Sequence, residues 1–172
     1  MPKGLKQTSS VVSIGFSVDE SAANTFTQAQ VDLNLSPLDR EVFVVLAVNL
    51  DPFTPDAVAQ TDTKVESSLT TTSQTAVANL SNANCLAASG NFIKCKGFAA
   101  NAGGAAFQSL GAETPPATLD YIGIIATNDF FIQVKGTDNA DPKGMDGKLY
   151  GYRAVADADI YAALVQSEVL SA

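Results

Sequence analysis

The alternation of apolar and polar residues at every second position is the feature that most constrains the fold of this chain. Gln28–Leu35 places Ala, Val, Leu and Leu at alternate positions, and Ser9–Val18 repeats the pattern. A period of two puts alternate side chains on opposite faces of a β-strand, so each segment predicts a strand with one buried face. Glu41–Leu50 differs, because Val42–Val48 is apolar at successive positions. That run predicts a central strand covered on both faces.

Four further segments have weaker strand patterns or none. Thr63–Thr72 is rich in Thr and Ser, which favours a strand at a sheet edge or on a solvated face. Cys85–Ala88 and Asn91–Phe98 are predicted to be two short strands joined through Ser89-Gly90 as a hairpin. Asn101–Ala117 is rich in Ala and Gly and predicts a long surface loop.

Only the C-terminal segment Asp157–Leu170 has a helical period. Asp157 or Asp159 is expected to cap it by accepting hydrogen bonds from free first-turn N–H groups. The residues predicted to form its apolar face are Ile160, Ala163 and Leu164, with Tyr161, Val165 and Val169 beside them. Further strands are predicted at Tyr121–Ala126, Phe130–Gly136 and Lys148–Ala154.

These elements predict an all-β protein with a single domain over residues 1–172. About eight or nine strands and one terminal helix are typical of a β-sandwich or jelly roll. No internal repeat or linker divides the chain. We therefore expect an extended N-terminal segment over residues 1–10, one sandwich, and a short C-terminal α-helix over residues 157–170.

The charge balance excludes several classes of partner. Lys and Arg number 10 against 18 Asp and Glu, which gives a net charge of -8. Nucleic-acid binding needs clustered Lys and Arg, and here they are scattered.

The longest apolar runs, Val42–Val48 and Tyr121–Ala126, are far shorter than the ~20 residues of a membrane-spanning helix. The N-terminal sequence MPKGLKQTSS has no apolar signal-peptide core, so we expect synthesis in a cytoplasm without a secretory signal.

The chain has no His, which removes every His-based catalytic pair and His metal ligand. Two carboxylates alone can hydrolyse glycosides, and Asp129 with Asp138 is one candidate pair, although solvated loop acids are the simpler interpretation. A weak Ca²⁺ candidate is formed by Asp138, Asp141 and Asp146 in the polar segment Thr137–Gly147, but its spacing does not match an EF-hand. We predict no catalytic residues, no cofactor and no enzymatic activity.

Cys85 and Cys95 lie at opposite ends of the predicted hairpin, where antiparallel pairing could bring their sulfur atoms close together. Two buried free thiols are the alternative in a reducing compartment. CxxC spacing is absent, which argues against a redox role.

Two segments carry a family resemblance: TTTSQTAVANLSNANCL over Thr70–Leu86, and GKLYGYRAVADADIYAALVQSEVLSA over Gly147–Ala172. They resemble proteins of marine phage genomes, and with the all-β pattern the chain looks like a small viral coat protein of the single jelly-roll type. The resemblance implies a virion structural protein, most simply a major capsid subunit that assembles with copies of itself into a symmetric shell. A minor decoration or spike protein is the nearest variant, and other virion proteins are further partners.

Many such coat proteins have a basic N-terminal arm, and this chain has only Lys3 and Lys6 near its start. Genome binding would then belong to another component. Met1–Ser10 and Asn101–Ala117 are expected to contact neighbouring subunits, because such small, polar stretches order poorly by themselves. The low share of charged residues, 16%, also suits subunit contacts, from which Lys and Glu are depleted.

Three other functional classes stay open at the level of sequence. A carbohydrate-binding or receptor-binding sandwich would be favoured by aromatic side chains clustered on one sheet face. A hydrolase would need two carboxylates converging in a cleft. A surface filament subunit is disfavoured by the missing export signal.

Overall fold

A computed structural model describes residues 2–111 and 119–171 of the chain. Its elements form two five-stranded antiparallel sheets and one helix. The first sheet contains β1 (Leu5–Gln7), β2 (Val12–Asp19), β4 (Glu41–Pro52), β8 (Gly123–Ile125) and β10 (Gly144–Ala156). The second sheet contains β3 (Thr27–Asp32), β5 (Thr63–Thr70), β6 (Cys85–Lys94), β7 (Ala105–Gly111) and β9 (Asp129–Thr137). The helix α1 spans Ala158–Leu170.

The strand pairing is nested. Strand β2 pairs with β10, β3 with β9, β4 with β8, and β5 with β6, all antiparallel. Such a series of pairs arises when one long antiparallel ribbon folds over on itself. Successive pairs then belong alternately to the first and to the second sheet. This is the topology of a jelly roll. The predicted fold class, an all-β sandwich with a short C-terminal helix, is confirmed.

The core between the sheets is aliphatic and aromatic. Phe43 and Val45 of β4 face Leu69 of β5 and Ile132 of β9, and all four are fully buried. Phe16 packs edge-to-face on Phe130 in this core, and their ring centroids are 5.6 Å apart.

A second apolar cluster lies on the outer face of the first sheet. Val42 and Val44 of β4 are buried there beside Tyr152 and Ala154 of β10. Helix α1 covers this face with side chains that are themselves half-buried, namely Ile160, Tyr161, Leu164 and Val165. Alternate residues of β4 therefore enter two different cores, which confirms the central strand predicted from the apolar run at 42–48.

The polar strand β5 does not lie at an edge. It runs between β9 and β6, and most of its side chains are buried. Gln133 makes this possible: its amide accepts from the Ser68 hydroxyl (2.7 Å) and donates to the Thr70 hydroxyl (2.7 Å). Ser68 in turn accepts the N–H of Ala78 (3.0 Å), from a segment that lies over this face. The edge prediction was wrong because polar residues can be buried once they satisfy one another.

Two predictions about strand continuity were also wrong. Strand β6 is a single strand through Ser89 and Gly90, which pair with β5 on one side and β7 on the other. The segment predicted as a loop over Asn101–Ala117 contains β7, because β6 offers it a complete hydrogen-bonding edge. Residues 112–117 of that segment lie outside the described residues.

Both ends of the chain pack on the first sheet. Strand β1 pairs with the end of β10, and Leu5 is buried in the cluster beneath α1. This part of Met1–Ser10 therefore packs within its own subunit, contrary to its expected role as a contact with neighbours. Asp157 is the N-cap residue of α1 but makes no side-chain capping bond. Its backbone N–H instead donates to the Gly4 carbonyl (3.1 Å), which joins the start of the helix to the N-terminal strand.

Candidate functional site

The structure keeps the candidate acidic pair Asp129 and Asp138 far apart. Asp129 begins β9, where it accepts a hydrogen bond from the Gln30 amide (2.5 Å), and Asp138 follows the far end of the same strand. A strand rises ~3.3 Å per residue, so the two carboxylates are roughly 30 Å apart. Paired glycosidase carboxylates lie ~5–10 Å apart. This pair therefore forms no hydrolytic site.

The three aspartates proposed for Ca²⁺ are dispersed. Asp138 occupies a left-handed turn (φ 57°), while Asp146 lies within β10, opposite Asp51. The N–H of Asp141 is bound to the Asp56 carboxylate (3.3 Å). No group of three potential metal-ligating side chains occurs within residues 2–111 and 119–171.

The two cysteines lie at opposite ends of one strand rather than across a hairpin. Cys85 begins β6, and Cys95 follows its last residue. Both thiols are free, and Cys95 is buried. Burial raises the pKa of the half-buried Cys85 thiol to about 11, so little reactive thiolate forms at neutral pH. The possible pairing of Cys85 with Cys95 was wrong because the chain does not turn at Ser89-Gly90.

A polar cluster that the sequence did not predict joins three loops at one end of the sandwich. Asp56 accepts a charge-assisted bond from the Lys143 ammonium (2.5 Å), and this bond holds the pKa of the Asp56 carboxyl below its ordinary value. The buried Glu20 accepts the N–H groups of Gly136 (2.6 Å) and Lys143 (2.9 Å). Asn139 bridges Asn24 and the N–H of Asp56 (2.9 Å). These groups satisfy one another, so the cluster fastens loops and offers no ligand site.

The strongest candidate surface is the outer edge of β7, which we call the β7 edge (Ala105–Gly111). Strand β7 ends the second sheet, and within the described ranges no strand pairs with its outer side. Its pairing with β6 is regular, from Lys94 opposite Ala105 to Ala88 opposite Gly111. An edge of this kind presents a row of unpaired N–H and C=O groups to another strand.

The β7 edge is also apolar. Phe107 is 58% exposed and Leu110 is 49% exposed, on opposite faces of the strand. A groove of about 310 Å³ runs beside Phe107 and is also lined by Thr54, Pro55 and Phe92. A second groove of about 330 Å³ adjoins Leu110, where Leu80 and Val77 form its other wall. Large exposed apolar side chains beside open grooves are typical of surfaces that contact another protein.

The β7 edge lies in one of the uncharged stretches of the chain, of which residues 67–93 form the longest. No charged residue occurs between Gly97 and Ala112, in a protein with a net charge of -8. The sequence already places Asn101–Ala117 among the expected subunit contacts. It does not predict a strand there, because Phe107 and Leu110 are three positions apart, which does not fit the period of two for one strand face. The arrangement can bind a strand or an apolar side chain, and it contains no group for acid-base or nucleophilic chemistry.

Comparison with known proteins adds one structural likeness. No protein-family model and no curated protein matches this chain. Among solved structures, a chain described as Desmodium yellow mottle tymovirus is similar over 92% of this chain and 95% of its own length. The sequence identity is 13% and the TM-score is 0.27. A likeness this low shows nothing about function.

Proposed function

We propose that this protein is a virion structural protein, a coat subunit that assembles with copies of itself into a symmetric shell. The observation that carries the proposal is the β7 edge: an exposed, uncharged and apolar strand edge on a jelly roll whose overall charge is -8. Soluble monomers usually blunt such edges with charge, Pro or a bulge. An edge without these devices favours a protein that is covered by other subunits in its working state.

The distribution of basic side chains supports a shell that forms without nucleic acid. Four of them, Lys64, Lys94, Lys143 and Arg153, are paired with carboxylates of the same chain. Phosphate neutralisation needs free, clustered Lys and Arg. The partners in this proposal are therefore copies of the subunit and other virion proteins, with the genome held by another component. The site of action is the virion, after synthesis in a host cytoplasm.

Electron microscopy and sedimentation of the purified protein test the proposal. We expect closed particles of uniform diameter that persist after nuclease treatment. A protein that remains monomeric up to high concentration would contradict a coat function. Long filaments would instead support the filament alternative, because a contact that does not close on itself generates open fibres.

One observation favours a carbohydrate-binding or receptor-binding module as a second candidate. Phe92 and Phe107 are direct cross-strand partners on the outer face of the second sheet. Exposed aromatic faces of this kind suit sugar rings. Titration with soluble oligosaccharides separates the cases: saturable binding that Phe107→Ala abolishes in a permanently monomeric protein would favour this candidate over a coat subunit.

A further inference from the structure

The β7 edge is suited to pairing with a strand along its whole length. Its seven residues contain no Pro and no Lys, and the register with β6 shows no bulge. Pro, Lys and bulges are the features by which natural proteins prevent edge-to-edge pairing. Within residues 2–111 and 119–171 the outer side of β7 is therefore open to another strand, and the side chains of β7 decide which strand fits.

Other edges of the two sheets are less open. Strand β8 is only three residues long, and β2 and β3 each end in an aspartate, Asp19 and Asp32. Gln28 of β3 is already engaged, since its amide oxygen accepts hydrogen bonds from Gln74 and Gln133. Among the described strands, β7 thus combines an edge without any charged residue with two large exposed side chains.

The sequence of β7 is complementary to itself. When two copies pair antiparallel with full overlap, the middle residue Gln108 lies opposite its own copy. In that register Phe107 faces Ser109, and Leu110 faces Ala106. Each large side chain meets a small one, so the paired faces can pack without either overlap or a void. The two Gln108 side chains can exchange amide hydrogen bonds, because each amide both donates and accepts.

The charge distribution favours a second copy of this chain over an oppositely charged partner. Two subunits of net charge -8 repel each other, and contact is easiest where neither presents a carboxylate. Strand β7 presents none of its own, and Asp51 and Asp146 beside Gln108 and Leu110 lie in a groove that also contains Lys148. A basic partner would have no acidic side chain to bind within Ala105–Gly111.

We propose that two copies pair their β7 edges antiparallel across a two-fold axis at Gln108, which joins their second sheets into one continuous sheet. The contact is isologous, so it closes as a dimer and leaves the other surfaces of both copies free. This dimer would be one of the contacts of the shell. It rests on the proposed coat function, from which it takes a second copy of the chain as the partner.

A disulfide at the two-fold axis tests the register. Gln108→Cys should give a covalent dimer on mild oxidation, because opposed Cβ atoms in an antiparallel pair lie ~4.5–5.5 Å apart, close to the distance in a disulfide. Ser13→Cys, on the exposed edge strand β2, is the matched control and should crosslink at least tenfold more slowly. The unmutated chain is the blank, since Cys95 is buried and Cys85 is half-buried. Equal crosslinking of the two variants, or none at position 108, would overturn the proposal.

A second pair of variants does not depend on disulfide geometry. Gln108→Lys places two ammonium groups opposite each other at the axis, so we expect the dimer dissociation constant to rise at least roughly tenfold. Ser13→Lys adds the same charge to β2 and should leave the constant unchanged, as measured by sedimentation equilibrium. Equal constants for both variants would overturn the edge pairing.

The outcomes also separate this inference from the coat function. Crosslinked dimers that never form shells would support the edge pairing and contradict the coat function. Shells that form normally from Gln108→Lys, without crosslinking of Gln108→Cys, would support the coat function and overturn the edge pairing.

Discussion

At the scale of single residues, Glu168 is the least expected feature of the molecule. It lies in the last turns of α1, yet it is only 7% exposed. Its carboxylate accepts the N–H groups of Ala126 (3.0 Å) and Thr127 (3.3 Å) and the Thr127 hydroxyl (2.8 Å). The helix is thereby fastened to the corner between β8 and β9. Burial raises the pKa of Glu168 above its ordinary value of 4.5, against the opposing effect of these hydrogen bonds.

This raised pKa predicts the direction of a pH effect. A carboxyl whose pKa is higher in the folded state binds its proton more tightly there, so its stabilising contribution is complete below pH 4.5 and is lost as the pH rises through the folded pKa. The unfolding free energy of the unmutated subunit should therefore fall as the pH rises above 4.5, and Glu168→Gln should remove this fall. The measurement is a series of urea midpoints on the dissociated subunit. Asp159→Asn, an equal change of charge on the exposed first turn, is the control, and an unchanged slope in Glu168→Gln would contradict the prediction.

A second residue-scale prediction concerns Gly151 in β10. The register between β10 and β4 shifts at this position, and a Cβ atom would collide with the Val44 carbonyl oxygen and the Phe43 ring. Because both neighbours belong to a packed central strand, Gly151→Ala should destabilise the subunit by ~1–3 kcal/mol. Gly15→Ala is the control, since no atom lies within 4 Å of its Cβ position. Thermal unfolding of both variants measures the difference, and equal midpoints would mean that the bulge relaxes freely.

At the scale of elements, α1 is held by packing rather than by its own propensity. A helix of this length is marginal in water, and its start has no side-chain cap. Leu164 contacts the cluster beneath the helix but remains half-buried. Leu164→Ala should therefore cost ~1–2 kcal/mol, below the ~2–5 kcal/mol typical of a fully buried leucine. The exposed Gln166→Ala is the control.

Denaturant midpoints of the dissociated subunit measure this difference. Equal midpoints for the two variants would contradict docking of α1 on the first sheet. The helix also departs from its predicted apolar face, since Ala163 is exposed while Glu168 is buried. The helical period identified the element, but the corner of backbone N–H groups that it packs against decided which side faces inward.

At the scale of the whole molecule, the net charge of -8 sets the response to salt. Copies of an acidic subunit repel one another, and salt screens this repulsion over a Debye length of ~10 Å at 0.1 M. Association should therefore become tighter between ~0.05 and ~0.5 M NaCl, observed by light scattering as a lower protein concentration at the onset of assembly. Sucrose at matched osmolality is the control. Particles that dissociate at high salt would instead indicate contacts between opposite charges.

The sequence by itself determined the class of fold and its most buried strand. Alternation at 12–18 and 28–35 specified strand faces, because side-chain direction in a strand depends only on local backbone geometry. The apolar run at 42–48 specified burial on both faces. The absence of His excluded His-based catalytic pairs and His metal ligands without reference to any contact.

Only the tertiary structure decided which strands are central, which are edges, and which polar side chains are buried. Strand β5 is polar and yet central, because Gln133, more than sixty residues away in the chain, satisfies its hydroxyl groups. Glu168 is buried because Ala126 and Thr127 offer it free N–H groups. Strand β7 is a strand because β6 passes beside it, and it is an edge because no described strand pairs with its other side. Each of these properties depends on a partner distant in sequence, and local periodicity carries no information about that partner.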